Sequence, residues 1–404
     1  MRVVVITETY PPNMGYIVSM LPKYFARQGL EVHVLAIDLP PYHQLDEFKH
    51  GVPAFLKSQL FPAGSVTDVD GYKVHVQKYR WMLGYTFMIG LHAKLKEIDA
   101  DVVYCVMAIG WSPILTMLSK VFLRFKLFTG SHTSAMMFPL ARQAHIKPSA
   151  LVRNFVTRWI PGRIVSLFTE ICYCPTSDCG MVASRFFGVQ ERKVRLIHLG
   201  VDTDFFFPPS TPQDIAAREA LRTRLGFSKH EVVCIYTGKM TVQKNAVLLA
   251  QAVERLRHEG FAFRALFIGD GVQRDEVQGY SSSVVLDLLP VSELGAYYRS
   301  ADIAVWLTNE STSMLDAAAC GLPIVVSDRI YQDHVTGNGL AYRLNDLDSL
   351  CDRLKQLSDP ETRRDLGSRG ARKMRDGFTW TLAAQKRIAD FNRALGASAL
   401  SSDR

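Results

Sequence analysis

What this 404-residue chain lacks narrows its identity before any motif is read. It has no paired cysteine framework: seven cysteines (Cys105, Cys172, Cys174, Cys179, Cys234, Cys320 and Cys351) are odd in number, scattered, and mostly embedded in apolar runs. That pattern excludes a disulfide scaffold and points to reduced, buried thiols in a cytosolic protein. The opening Met1-Arg2-Val3-Val4-Val5-Ile6 meets the polar Thr7-Glu8 without the apolar core and cleavage site of a secretory leader, so a cytoplasmic location is expected. Long apolar runs are scarce as well. The most apolar stretch, Val102 to Leu118, is interrupted by Gly110, Ser112 and Pro113 and reads as buried strand, loop and helix instead of a membrane span.

Acidic residues are missing from one region. Between Asp101 and Glu170 there is none, whereas Lys120, Arg124, Lys126, Arg142, Lys147, Arg153, Arg158 and Arg163 all fall there. Residues 1–200 hold 22 Lys+Arg against 13 Asp+Glu, and the remainder 25 against 26, so the whole net charge of +8 comes from the first half. Interleaved with Phe122, Phe125, Phe128, Phe138, Phe155 and Trp159, these cations have the pattern of a footprint on an anionic membrane surface. The alternative is a solvated basic face over ordinary core residues. No nucleic-acid reading motif accompanies the charge, so nucleic acid is not expected as a partner.

With 48% hydrophobic and 21% charged residues the chain can bury large cores, and its length suggests two or three domains. Val3 to Ile6 is a β-branched run; Ile17, Met20, Leu21, Tyr24 and Phe25 recur at helical spacing until Gly29; Glu31 to Ala36 then alternates as a strand. This strand, helix, strand unit implies a parallel sheet with right-handed crossovers. A second start lies at Val232 to Thr237, followed by a helix from Ala246 to Leu256 and a strand from Ala265 to Ile268. Alternation continues through Ile303 to Leu307, Leu315 to Cys320 and Pro323 to Ser327. The fold class is therefore α/β with two doubly wound halves. Turn signals at Phe205-Phe206-Phe207-Pro208-Pro209 place the boundary: residues 1–205 form the first domain, 206–379 the second, and 380–404 a final amphipathic helix.

In open parallel sheets ligands bind beyond the carboxyl ends of the strands, where loops meet helix N-termini. Three loops have suitable residues. Gly15, in the loop after the first strand, would let a phosphate approach the backbone. Gly238, Lys239 and Lys244 follow the first strand of the second half, where two lysines could grip a diphosphate or, as composition alone favours, stand solvated at the surface, and Gly269 follows the next strand. The Walker spacing and the complete dinucleotide fingerprint are both missing, which disfavours a P-loop hydrolase and an NAD enzyme. The third loop runs Glu310-Ser311-Thr312-Ser313-Met314-Leu315-Asp316 into a helix stopped by Gly321-Leu322-Pro323. Its amides could hold phosphates and Asp316 a ribose diol; alternatively Ser311 is an N-cap and the carboxylates complement the helix dipole.

Taken in order, these residues resemble the retaining glycosyltransferases of the GT-B fold, family four (glycosyl transferases group 1), from Met1 to the final helix. Gly15 matches that family's glycine loop, His132 in Gly130-Ser131-His132-Thr133 its histidine, and Gly200-Val201-Asp202-Thr203 its connector. Lys239 and Lys244 match its basic pair, Asp316 to Pro323 the end of its acidic block, and Gly337-Asn338-Gly339-Leu340 a later glycine motif. The family spaces its two acids eight apart. Here Glu310 and Asp316 are six apart, so either the loop is shorter or the aligned position is Thr308. Leu199 and Met14 also depart from the pattern.

The resemblance implies two Rossmann-like domains facing a cleft, the first binding acceptor, the second donor, with the last helix crossing back. It implies retaining, metal-independent transfer of a hexose from a nucleoside-diphosphate sugar to a glycan or lipid-linked acceptor, in cell-surface polysaccharide or glycolipid assembly, with a peripheral place on the inner leaflet as an expectation. No cofactor and no metal site are expected. His132, Glu310, Lys239 and Lys244 become the catalytic candidates, and Gly15, Gly238, Lys239, Lys244, Gly269, Glu310, Ser311, Thr312, Ser313, Met314 and Asp316 the donor-binding ones. The rival functions are a GT-B-fold epimerase of a UDP-sugar and a non-catalytic sugar-nucleotide or glycan-binding protein.

Overall fold

A computed structural model describes residues 1–38, 61–143 and 145–402, with side chains described as far as residue 396. The chain divides into two compact units. Among the described residues, the first comprises those up to Leu199 together with those from Trp380, and Gly200–Thr379 forms the second.

Ten strands belong to the first unit: β1 (Arg2–Ile6), β2 (Glu31–Ile37), β3 (Val66–Val69), β4 (Tyr72–Gln77), β5 (Tyr79–Met82), β6 (Tyr85–Met88), β7 (Val102–Cys105), β8 (Lys126–Gly130), β9 (Thr169–Cys174) and β10 (Val194–Leu196). Eight of them form a sheet in the order β10-β9-β8-β7-β1-β2-β4-β3, parallel except where β3 meets β4. Val3, Val4 and Val5 are wholly buried because helices cover both faces of a parallel sheet, so a β-branched run without polar alternation suits a central strand. The sequence pattern did not announce β5 and β6, which pair as a separate hairpin.

The second unit holds β11 (Val232–Thr237), β12 (Phe263–Ile268), β13 (Ser283–Leu286), β14 (Ile303–Trp306), β15 (Ile324–Ser327) and β16 (Gly339–Tyr342). They form a six-stranded parallel sheet in the order β13-β12-β11-β14-β15-β16. Strand order reverses between β11 and β14 here, and between β1 and β7 in the first unit. At such switch points the loops on either side diverge and leave a crevice.

The units divide at Leu199 and Gly200, not at the aromatic-proline run. Local pairing explains the difference: Val201 N–H donates to the Phe378 carbonyl at 2.8 Å, and Phe206 lies in the second unit's core. The final helix, Trp380–Ser402, packs on the first unit, its Phe391 ring 4.6 Å from that of Phe128 and 5.6 Å from that of Phe25. Tyr173 and Arg195 donate to its buried Asp390. All seven cysteines are free and buried. Among the described residues no helix is long and apolar enough to cross a membrane.

Candidate donor site and family membership

The second unit gathers most of the candidate residues at the carboxyl ends of its central strands. Beyond β11, Gly238 N–H donates to the Ile268 carbonyl and Met240 N–H to the Asp270 carbonyl, so the Gly238–Met240 and Gly269–Gly271 loops run on in register after their strands end. This approach requires glycine. A Cβ on Gly269, at φ +151°, would lie 1.9 Å from the Gly238 carbonyl oxygen.

The loop then turns through Asn245, at φ 53°, into the helix Ala246–His258. Lys244 is carried inward, and its Nζ donates to the Glu310 carbonyl oxygen at 3.3 Å. Burial first, and then the neighbouring Lys239 charge, lower the Lys244 ammonium to about 8, opposed by the Glu310 carboxylate. Two cations are thus held close enough to repel each other beside the switch point. Such a pair is costly by itself and is relieved by an anion.

Beyond β14 the chain approaches the same lysine loop. Thr308 Oγ1 donates to the Gln243 carbonyl at 2.8 Å, and the Glu310 carboxylate accepts from the Gln332 amide. Thr308 therefore clamps the lysine loop, while Glu310 is the acid adjoining Lys244. In the following helix, Ser313–Ala319, the N-cap position is Thr312, not Ser311, and the Thr312 side chain makes no capping hydrogen bond. Ser311 and Ser313 instead bond each other through their hydroxyls at 2.7 Å. Met314 is buried and its N–H donates to the Ser311 carbonyl, which leaves that amide committed to the turn. Asp316 has its carboxyl raised well above the usual carboxylate range by burial and by Asp202 nearby. A protonated carboxyl there can both donate and accept.

The first unit holds Gly15 and His132. Gly15 has φ 65° in the loop between β1 and the helix Ile17–Arg27. His132 follows β8; its Nε2 is buried without a partner, as are Tyr104 Oη, Ser131 Oγ and Arg387 Nε. Burial, aided by the Arg387 charge from the final helix, lowers the His132 imidazole to about 4. It is therefore neutral at physiological pH.

Sequence reasoning missed Gln332 as the partner of Glu310 and Arg387 as the charge beside His132. The first is 22 residues from its partner and the second 255, and no local pattern links either pair. Asp-x-Asp spacings, which carry metals in other sugar-transfer enzymes, do occur in the chain at Asp68 and Asp70, Asp99 and Asp101, Asp202 and Asp204, and Asp346 and Asp348. Structural work occupies several of them: Asp101 accepts from Arg2 N–H, Asp202 from Asp204 N–H, and Asp346 caps the helix Leu347–Gln356.

Two family profiles match the chain, Glycosyltransferase Family 4 over residues 14–205 and Glycosyl transferases group 1 over residues 231–359. The chain belongs to glycosyltransferase family 4. The same two units carry the matches, one profile to each. A D-inositol 3-phosphate glycosyltransferase of Xylanimonas cellulosilytica is 32% identical over 219 residues, 50% of this chain and 51% of that protein. EpsD of Bacillus subtilis is 22% identical over 362 residues, covering 86% of this chain and 85% of that one. The chain spans about half the length of the first of these relatives. Among solved structures, sucrose-phosphate synthase from Thermosynechococcus elongatus superposes with a TM-score of 0.70 at 15% identity, covering 98% of this chain and 99% of the other. Anabaena HepE in complex with UDP and glucose gives 0.67 at 13% identity, covering 97% and 99%. These likenesses make the fold GT-B.

Proposed function

We propose that this family 4 protein transfers a sugar from a nucleoside-diphosphate sugar to a hydroxyl of a glycan or lipid-linked acceptor, with retention at the anomeric carbon. The observation that carries the reading is the Lys239 and Lys244 pair, held beside Glu310 at the switch point of the second sheet. A leaving nucleoside diphosphate takes negative charge with it, and preorganised cations there stabilise the transition state more than the ground state. HepE, of the same fold, was crystallised with UDP and glucose.

On this reading the lysines hold the diphosphate, Gly238 and Gly269 let it approach the backbone, and Ser311, Thr312 and Ser313 line its other side. Asp316, kept protonated, bonds the ribose diol, and Glu310, its carboxylate fixed by Gln332, orients the sugar hydroxyls. The neutral imidazole of His132, in the first unit, serves as a hydrogen-bonding group and not as a proton donor, and Gly15 leaves backbone open to a ligand in that unit. The leaving phosphate takes the acceptor proton on the face it departs from. No divalent metal enters. The acceptor belongs to cell-surface polysaccharide or glycolipid assembly, met in the cytoplasm at the anionic inner leaflet.

The test is to incubate the protein with UDP-, GDP- and ADP-sugars, with and without a lipid-linked acceptor, and measure released nucleoside diphosphate. Acceptor-dependent release from one donor is expected. Epimerised sugar nucleotide without release, or binding without either product, would replace the transferase by one of its rivals.

A further inference from the structure

The first unit carries a helical ridge whose amphipathicity is inverted. The helices Pro148–Asn154 and Ile160–Phe168 run on through a π turn, Phe155–Trp159. Apart from Val165, its inward side is polar or small: Asn154 Nδ2 donates to the Phe186 carbonyl, a Cβ on Gly162 would lie 2.0 Å from the Phe187 oxygen, and Ser166 Oγ accepts from Gln190 N–H. The outward side is apolar, with Val152 63%, Val156 55%, Ile164 45% and Leu167 59% exposed. Positions four apart drift by about 40° in an α-helix, and the wider π turn takes back part of that drift, keeping the stripe on one side.

Two neighbours extend the ridge. Lys120 Nζ donates to the Phe168 carbonyl at 2.8 Å, bringing alongside the chain that carries Phe122, 78% exposed. Arg158 Nε donates to the Tyr85 hydroxyl at 3.2 Å, bringing up the β5–β6 hairpin with Leu83 at its tip, 87% exposed. Arg158 also stacks over Phe138 and so faces inward, whereas Arg153 and Arg163 stand exposed among the apolar positions.

We infer that this ridge inserts its apolar side chains into the interface of an anionic bilayer leaflet, with Arg153 and Arg163 at the level of the lipid phosphates. The inference rests on the membrane attachment proposed above and names the surface that makes it. Monomeric soluble proteins seldom leave so large an apolar surface uncovered. Charge complementarity selects the occupant: residues 102–169 contain no carboxylate, so a second copy docked about a two-fold axis would set arginine against arginine, while anionic lipid supplies the counter-charge. Apolar insertion also changes the expected salt response. Screening weakens the arginine contribution and leaves the buried apolar area.

The experiment is co-sedimentation of the full chain with phosphatidylcholine vesicles, with and without phosphatidylglycerol, at low and high salt. The wild type should sediment with the anionic vesicles and keep part of its binding at high salt. Val152→Ser, Val156→Ser and Ile164→Ser together should lose the salt-resistant part more than ten-fold, and Arg153→Glu with Arg163→Glu the salt-sensitive part. Both variants should bind nucleoside diphosphate as the wild type does in calorimetry, which shows them folded and keeps this test separate from that of transfer. Wild type that stays in the supernatant with every vesicle at low salt overturns the inference. So does a wild-type dimer that the serine variant converts to monomer, which would make the ridge a protein interface.

Discussion

The two units are both doubly wound sheets, yet they handle charge in opposite ways. In the second unit cations are drawn inside and paired: Arg222, 6% exposed, shares the Asp302 carboxylate with Arg218, and donates as well to the carbonyls of Ser300, Ser228 and Glu231. Near the switch point two further cations, Lys239 and Lys244, lie close enough to repel each other. The first unit instead carries a carboxylate-free basic segment, residues 102–169, with Val152, Val156 and Leu167 exposed along it. The same topology thus supports one unit that pairs its buried cations and sets two lysines beside its switch point, and another that exposes apolar side chains among arginines on a carboxylate-free segment.

The largest expected effect probes the pairing. Asp302→Ala leaves Arg222 as an uncompensated buried charge and should destabilise the second unit by about 3 to 5 kcal/mol in denaturant unfolding. Asp365→Ala, which removes an exposed pair with Arg369, should cost less than about 0.5 kcal/mol. Similar losses in the two variants would erase the contrast between buried and surface charge in this unit.

Next in size is the lysine pair at the switch point. Lys244→Ala or Lys239→Ala removes a charge-assisted contact worth about 1.5 to 3 kcal/mol, and should weaken nucleoside diphosphate binding more than ten-fold. Calorimetry giving the wild-type affinity for UDP and GDP in both variants would move the donor site elsewhere.

The Lys244 ammonium makes that binding depend on pH. Its proton is lost near pH 8, so diphosphate affinity should fall about ten-fold between pH 7 and pH 9. In the unliganded protein the sign is reversed for stability: the folded group loses its proton before the unfolded one, so the cost of burying this charge is fully present below about pH 8 and is relieved as pH rises toward the ordinary lysine value. Lys244→Met should flatten both trends, and affinity unchanged to pH 9 in the wild type would detach the diphosphate from Lys244.

Much of the second unit's site was legible because its signals are local. The β11 to Ala246–His258 succession shows in apolar periodicity, and Gly238 and Gly269 mark loops that later prove to touch. What could not be read depends on tertiary proximity. Thr308 and Glu310 are told apart only by which of them clamps Gln243 and which adjoins Lys244, and the Asp316 carboxyl is raised because the fold first buries it and then brings Asp202 near it. In the first unit the basic segment was visible as composition. Its division into an inward Arg158 and outward Arg153 and Arg163 was not, because a π turn leaves no signature in the residues that form it.

The smallest expected effect is none at all, and it tests whether the second unit is complete in charge. A transferase that relies on a divalent cation to neutralise its leaving diphosphate stops when the cation is chelated, since nothing else offsets two developing charges. Here Lys239 and Lys244 already stand beside the proposed diphosphate position, at a cost visible in the lowered Lys244 ammonium. A further divalent cation would have to displace or crowd that pair. Sugar transfer should therefore continue at the same rate in excess EDTA, measured as released nucleoside diphosphate, and added Mg²⁺ or Mn²⁺ should not raise it. Complete loss in EDTA with recovery on Mn²⁺ would mean that the lysines alone do not neutralise the leaving group, and would redirect attention to the carboxylate pair Asp202 and Asp204 in the same unit.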